Sequence, residues 1–121
     1  MILLDTSVWI DHLRQQEQQL KPLLERNQIA THSFVIGELA LGSMPRYDII
    51  LRSLAELPQV KVASDQEVLW LIKQHALQGS GIGYVDAHLL ASTKLMPDGK
   101  LWSRDKRLSR IADELGIGYA E

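Results

Sequence analysis

Residues 1–14 read MILLDTSVWIDHLR, and the order of residue types in this opening sets the architecture. Ile2, Leu3 and Leu4 form a short apolar run of the kind that occupies a buried strand. Asp5 ends the run. Thr6 or Ser7 then offers a hydroxyl to the free N–H groups of a first helical turn, so a helix is predicted to about Arg14. The alternation continues along the chain. A helical piece at Leu20–Arg26 precedes a strand at Gln28–Thr31. SFVIGELALGS (33–43) follows, with Phe34, Ile36, Leu39 and Ala40 at near-helical spacing. Pro45 suits the first turn of the next helix, whose apolar positions are Ile49, Ile50, Leu54 and Leu57.

Val60–Ala63 is a third strand candidate, and Asp65 is placed to cap the helix after it. GSGIG (79–83) is the most flexible stretch by composition. YVDAHLLASTKL (84–95) is a helix, Pro97-Asp98-Gly99 a turn, Leu101–Ser103 a strand, Asp105–Leu115 a helix and Ile117–Ala120 a last edge strand. Strands alternating with helices predict an α/β fold, with a mainly parallel sheet of four to five strands between two helical layers. No repeat, linker or low-complexity segment divides residues 1–121, so a single domain is expected.

The composition excludes several chemistries. The chain of 121 residues is 45% hydrophobic and 23% charged, which suits a globular domain. It has no cysteine, which rules out zinc–thiolate sites, thiol nucleophiles and disulfides. No stretch approaches the roughly 18 to 20 apolar residues of a membrane span. The first residues carry Asp5 and Asp11 instead of the basic start of a signal peptide, so the cytoplasm is the expected location. No GxxxxGK[ST] loop is present to cradle a nucleotide.

Four acids stand out. In a parallel sheet with right-handed crossovers, Asp5 and Asp105 both follow strands at the same rim, where ligand and catalytic groups of open α/β sheets gather. Glu38 and Asp86 interrupt apolar helical runs, FVIGELAL and GYVDAHLL, and a carboxylate buried there must be paired, protonated or metal-bound. Two carboxylates at roughly 4 Å repel by about 4 kcal/mol at an effective dielectric near 20. A hard cation such as Mg²⁺ or Mn²⁺ removes that penalty, and the chemistry it favours is phosphodiester hydrolysis. Each acid also has a plainer reading. Asp5 and Asp105 are each placed to cap a helix, and Glu38 and Asp86 are open to lying on solvent-facing sides.

The order and local wording of the four acids resemble the PIN-domain family, specifically its VapC branch of toxin–antitoxin ribonucleases. MILLDTSVWIDHLR resembles the family's opening strand and catalytic Asp. HSFVIGELALGS resembles the second motif through Glu38, and YVDAHLLAST the third through Asp86. LWSRDKRLSRIADELGI resembles the closing motif through Ser103 and Asp105. The resemblance implies a PIN fold and a Mg²⁺- or Mn²⁺-dependent endoribonuclease, the toxin of a type II pair. It also implies an RNA substrate, a cognate antitoxin that inserts a segment into the cleft, and a homodimer formed through apolar helices. By that carry-over Asp5 and Asp86 are direct metal ligands, and Glu38 and Asp105 complete the site directly or through water. Thr6 and Ser103 orient carboxylates by hydrogen bonding. His88, two residues after Asp86, departs from the apolar residue usual in the family, and Gly79, Gly81 and Gly83 make a loose approach to the third motif.

Net charge is −2, and besides those four acids the chain has 13 basic residues against the other 11 of its 15 acidic ones. Arg104, Lys106 and Arg107 are candidates for RNA-phosphate contacts beside the last acid, with a solvated helix face as the plainer alternative. His12, His32, His75 and His88 show no metal-binding spacing and are expected to be satisfied surface or partly buried residues. Trp9, Trp70 and Trp102 are expected in the core, Trp9 being open also to lining a partner's groove. A receiver-type phosphotransfer domain is disfavoured because Asp5 lacks a paired acid, and a haloacid-dehalogenase-type phosphatase because DTSVW replaces DxDx[TV]. A non-catalytic domain that binds RNA or protein is the remaining alternative.

Overall fold

A computed structural model describes residues 1–121. Its ten elements are β1 (Ile2–Leu4), α1 (Thr6–Arg14), α2 (Leu20–Glu25), β2 (Ile29–Ala30), α3 (Ser33–Ala40), α4 (Tyr47–Glu56), α5 (Asp65–Gln74), α6 (Tyr84–Leu95), β3 (Lys100–Trp102) and α7 (Lys106–Glu114). The sheet has the order β2-β1-β3 with both pairings parallel, Leu3 facing Ala30 on one side and Leu101 on the other. Successive residues of a strand point to opposite faces. Leu3 and Leu4 are nevertheless both fully buried, so helices cover the central strand on its two faces and the α/β/α layering holds.

Three strands form, fewer than the four to five expected. The segments at the two edges contribute single parallel bridges, Thr31 with Gln59 and Leu101 with Gly118. The Val60–Ala63 strand does not form. Pairing is spent at Gln59, where Pro58 accepts from Thr31 N–H and Thr31 from Val60 N–H, each at 2.9 Å, and the chain then turns to enter α5. Ser64, not Asp65, caps α5, through a reciprocal box with Glu67.

The core is one cluster centred on the sheet, with Trp102, Leu3, Leu4, Leu20, Ile29, Leu89, Leu90, Leu101 and Leu108 fully enclosed. Trp9 and Trp102 lie within it as expected. Trp70 does not, since 62% of it is exposed on α5 beside the exposed Leu69. Periodicity alone cannot separate a face that packs on the sheet from one that stays open. No helix is long and apolar enough to cross a membrane.

Candidate active site

Parallel pairing brings the carboxyl ends of β1 and β3 side by side, and each is followed, directly or three residues on, by an acid that caps the next helix. Asp5 adopts extended backbone as N-cap of α1 and accepts from Val8 N–H at 3.3 Å. Asp105 caps α7, its Oδ1 accepting from Arg107 and Leu108 N–H at 3.0 Å each. The capping role is therefore real for both, and it coexists with a place in the cleft.

Asp5 is buried and doubly clamped. Ser7 Oγ donates to its Oδ1 and Ser103 Oγ to its Oδ2, each at 2.5 Å. Both hydroxyls are fixed in turn by the β3–α7 turn, Ser7 Oγ accepting from Arg104 N–H and Ser103 Oγ from Asp105 N–H at 3.0 Å. Ser103 thus holds Asp5 by hydrogen bonding. Ser7 does the same work and escaped the sequence reading, where it figured only as a possible helix cap. Thr6 orients a different acid, donating from Oγ1 to Glu38 Oε1 at 2.7 Å across from α1 to α3.

Glu38 and Asp86 do not lie buried as their apolar surroundings suggested. Glu38 is exposed on α3, and Asp86 is half-buried at the start of α6. Val35 and Leu39 on α3 and Ala87, Leu89 and Leu90 on α6 face inward, and the acid occupies another side of its helix, toward the cleft. Asp86 Oδ2 accepts from Gly83 N–H at 3.2 Å, which pins the carboxylate to the first turn.

Three of the acids share a pattern. Glu38, Asp86 and Asp105 each commit one oxygen to the chain, leaving Oε2, Oδ1 and Oδ2 without a protein donor. Asp86 also feels the other three carboxylates. Burial pushes the Asp86 carboxyl above its ordinary range, the Gly83 N–H partly offsets this, and the charges of Asp105, Asp5 and Glu38 raise it further. Burial likewise raises Asp5, opposed by the hydrogen bonds from Ser103, Ser7 and Val8.

No three acidic or histidine side chains are gathered tightly enough to ligate one ion directly. The donor set nonetheless fits a hard divalent cation. It is all oxygen, mutually repelling, and supplied with bare lone pairs, which suits an ion that keeps several waters between itself and the protein.

The basic residues divide. Arg104 is engaged within the chain, its guanidinium held by Asp11 at 2.8 Å, Glu17 at 2.6 Å and Glu121 at 2.7 Å. It also lies over the Trp102 ring, 5.7 Å from the centroid. Those carboxylates hold it above its usual pKa and leave it a structural hub. Lys106 and Arg107 stay exposed, and the Arg107 side chain crosses the glycine loop with Nη1 3.5 Å from Gly81 O. Gly81 has φ +91°, a backbone region that side-chain-bearing residues rarely adopt, and a Cβ there would push the guanidinium aside. Beside Glu38, a groove of about 270 Å³ runs between α1 and the α3–α4 turn, lined by Ile10, Leu13, Leu39, Met44 and Pro45 among others.

Residues 2–114 match the family model of the PIN domain. Over all 121 residues the chain is 47% identical to the protein named Ribonuclease VapC32 of Mycobacterium tuberculosis, in both the CDC 1551 and H37Rv strains. The alignment spans 100% of this chain and 98% of each relative. A solved structure described as FitAB bound to an IR36 DNA fragment superposes with a TM-score of 0.63 at 18% identity. That match covers 93% of this chain and 91% of the other, and at such identity it speaks for the fold alone. The topology, the ordered acids and the full-length identity agree: the chain belongs to the PIN-domain family, in its VapC branch.

Proposed function

We propose that the chain is a Mg²⁺-dependent endoribonuclease, the toxin of a type II toxin–antitoxin pair, acting at Asp5, Glu38, Asp86 and Asp105. The observation that carries this reading is the set of bare carboxylate oxygens on three separate helices around the clamped Asp5, with Asp86 feeling the charge of the other three. Asp5 and Asp86 are the direct ligands in this reading, Glu38 and Asp105 acting directly or through water. A divalent cation, Mg²⁺ or in its place Mn²⁺, supplies charge neutralisation among the acids and polarisation of the phosphate when bound.

The chain's own groups do the rest. Ser7 and Ser103 keep Asp5 in one orientation, so no reorganisation is needed there on loading. Glu38, fixed at one oxygen by Thr6, turns its free oxygen to the cleft, where it orients the attacking water and takes its proton. Lys106 and Arg107 flank Asp105 and meet the RNA backbone.

Two assemblies belong to the same reading. The groove beside Glu38 receives a segment of the antitoxin, its apolar lining taking aliphatic side chains. The exposed Leu69, Trp70 and Leu95 on α5 and α6 form the face of a homodimer. Sedimentation should then give a dimer at micromolar concentration and a monomer for Trp70→Glu; a wild-type monomer removes the assignment.

The deciding experiment is cleavage of a mixed structured RNA pool by wild type and Asp5→Asn, with Mg²⁺ and with EDTA. Cutting that requires both the metal and Asp5 is expected. Undiminished cutting by a folded Asp5→Asn variant would sink the site. A non-catalytic RNA- or protein-binding domain is the alternative, and it predicts RNA retention with no cleavage under either condition.

A further inference from the structure

Two histidines expected to be satisfied are neither exposed nor satisfied. His32 is fully buried and His88 is 2% exposed, and each has one ring nitrogen without a partner, Nε2 in His32 and Nδ1 in His88. His32 is the N-cap of α3, its Nδ1 accepting from Phe34 N–H at 2.9 Å. An imidazole that accepts at Nδ1 carries its proton on Nε2, so His32 ends in a bare donor. Burial, reinforced by His88, lowers His32 to about 4 and keeps it neutral at physiological pH. His88 turns Nε2 toward Asp65 Oδ1 at 3.5 Å and leaves Nδ1 buried without a partner.

Phe34 lies edge-on between the two imidazoles, with centroids 4.9 Å from His32 and 4.8 Å from His88. Tyr84 meets His88 edge-on at 4.8 Å and donates its hydroxyl to the same Asp65 oxygen at 2.8 Å. Four rings therefore run in series from the cap of α3 to the first two turns of α6, with Asp65 of α5 as the far anchor. Phe34 is one helical turn before Glu38. Tyr84 and His88 each stand two residues from Asp86, about 200° round the helix, so they grip its turn from behind while the acid faces the cleft.

We propose that this array positions Glu38 and Asp86 relative to each other, with His88 as its positioning residue; the inference rests on the reading of those acids given above. An apolar residue at 88 would fill the space without stranding a buried nitrogen. The imidazole is distinguished from it by a fixed direction. It holds α6 to α5 through Asp65 and to α3 through Phe34, so the two acid-bearing turns cannot slide apart as the cleft loads.

The test uses the full chain as His88→Leu, His88→Gln, Asp65→Ala and Asp86→Asn, with melting curves, Mg²⁺ titration calorimetry and steady-state RNA cleavage. His88→Leu should remain folded, bind Mg²⁺ about 10-fold more weakly and lose about 10-fold in kcat at unchanged KM. His88→Gln, which keeps a polar N–H reaching toward Asp65, should recover most of both. Asp65→Ala, altering an exposed side chain, should lose about threefold in Mg²⁺ affinity. Wild-type Mg²⁺ affinity and kcat in a folded His88→Leu overturn the proposal, as do equal values for His88→Leu and His88→Gln. Should His88→Leu fail to fold, Asp65→Ala decides, and unchanged Mg²⁺ affinity there overturns it. Asp86→Asn separates the two levels. If it binds Mg²⁺ and cleaves like wild type, the acid site itself fails; if it is dead while His88→Leu is normal, only the ring array does.

Discussion

The carboxylates of the cleft are held on two different sets of terms. On one, Asp5 is buried, accepts hydrogen bonds at both oxygens and is held by serines that are themselves held by backbone. On the other, Glu38 and Asp105 are exposed and Asp86 half-buried, each restrained at a single oxygen. A carboxylate with its lone pairs engaged on a strand end is preorganised. One with a bare oxygen on a helix is ready to accept a new partner. The contrast teaches that the site pairs a fixed reference point with three adjustable donors, which suits a centre that must accept both a hydrated ion and a flexible polymer.

The contrast can be broken outright at its fixed point. Asp5→Ala removes the acceptor of two serines and the α1 cap together, so RNA cleavage should fall by at least about 100-fold. The melting temperature should fall with it, the cap alone contributing about 1 kcal/mol. A folded Asp5→Ala that cleaves at the wild-type rate would refute the preorganised side.

The supports come next. Ser103→Ala should cost about 10- to 100-fold in kcat, whereas Thr6→Val, acting on an exposed acid, should cost no more than about 10-fold. Equal losses in single-turnover cleavage would mean that the two sides are not different in kind.

The adjustable side answers to pH. Asp86 has its folded pKa raised above the ordinary 3.8, chiefly by burial and then by the neighbouring acids. Its stabilising contribution is therefore complete below 3.8 and is lost as pH rises through the raised folded value. Metal affinity should rise over the same interval. Asp86→Asn should accordingly melt roughly 3 °C higher than wild type in EDTA at neutral pH, an advantage that Mg²⁺ erases. A lower melting point for Asp86→Asn in EDTA would contradict this.

The smallest effect is expected at Arg104, behind the fixed side. Arg104→Met should lose about 1 kcal/mol in chemical denaturation, less at high salt, because the carboxylates it gathers are partly exposed. A salt-independent loss would mean that packing on Trp102 carries the contribution instead.

Much of this was legible in the residues. The 84–95 helix, the β1 and β3 strands and the four acids in order could be read because apolar runs and caps are local signals. Ser7 could not be assigned its role, since a serine after Asp-Thr reads equally as a helix cap until Arg104 N–H is seen to fix its hydroxyl. For Glu38 and Asp86 burial and a solvent-facing side both stayed open, because a helix among apolar neighbours does not reveal which side meets the cleft. Trp70 misled for the same reason. Arg104 looked free because Asp11, Glu17 and Glu121 are remote from it in sequence. His32 and His88 gave no sign of acting together, for their connection runs through Phe34 across three helices.

The short flanking bridges at Gln59 and Gly118 have a consequence for how molecules of this kind meet. Each caps an outer strand with one residue of pairing and then leads the chain away, so neither border of the sheet presents a run of free N–H and C=O groups. Edges this short offer a neighbour little to pair with, which disfavours uncontrolled β-stacking at both borders. Contacts between copies are left to helical surfaces, where side chains, and therefore sequence, decide who binds.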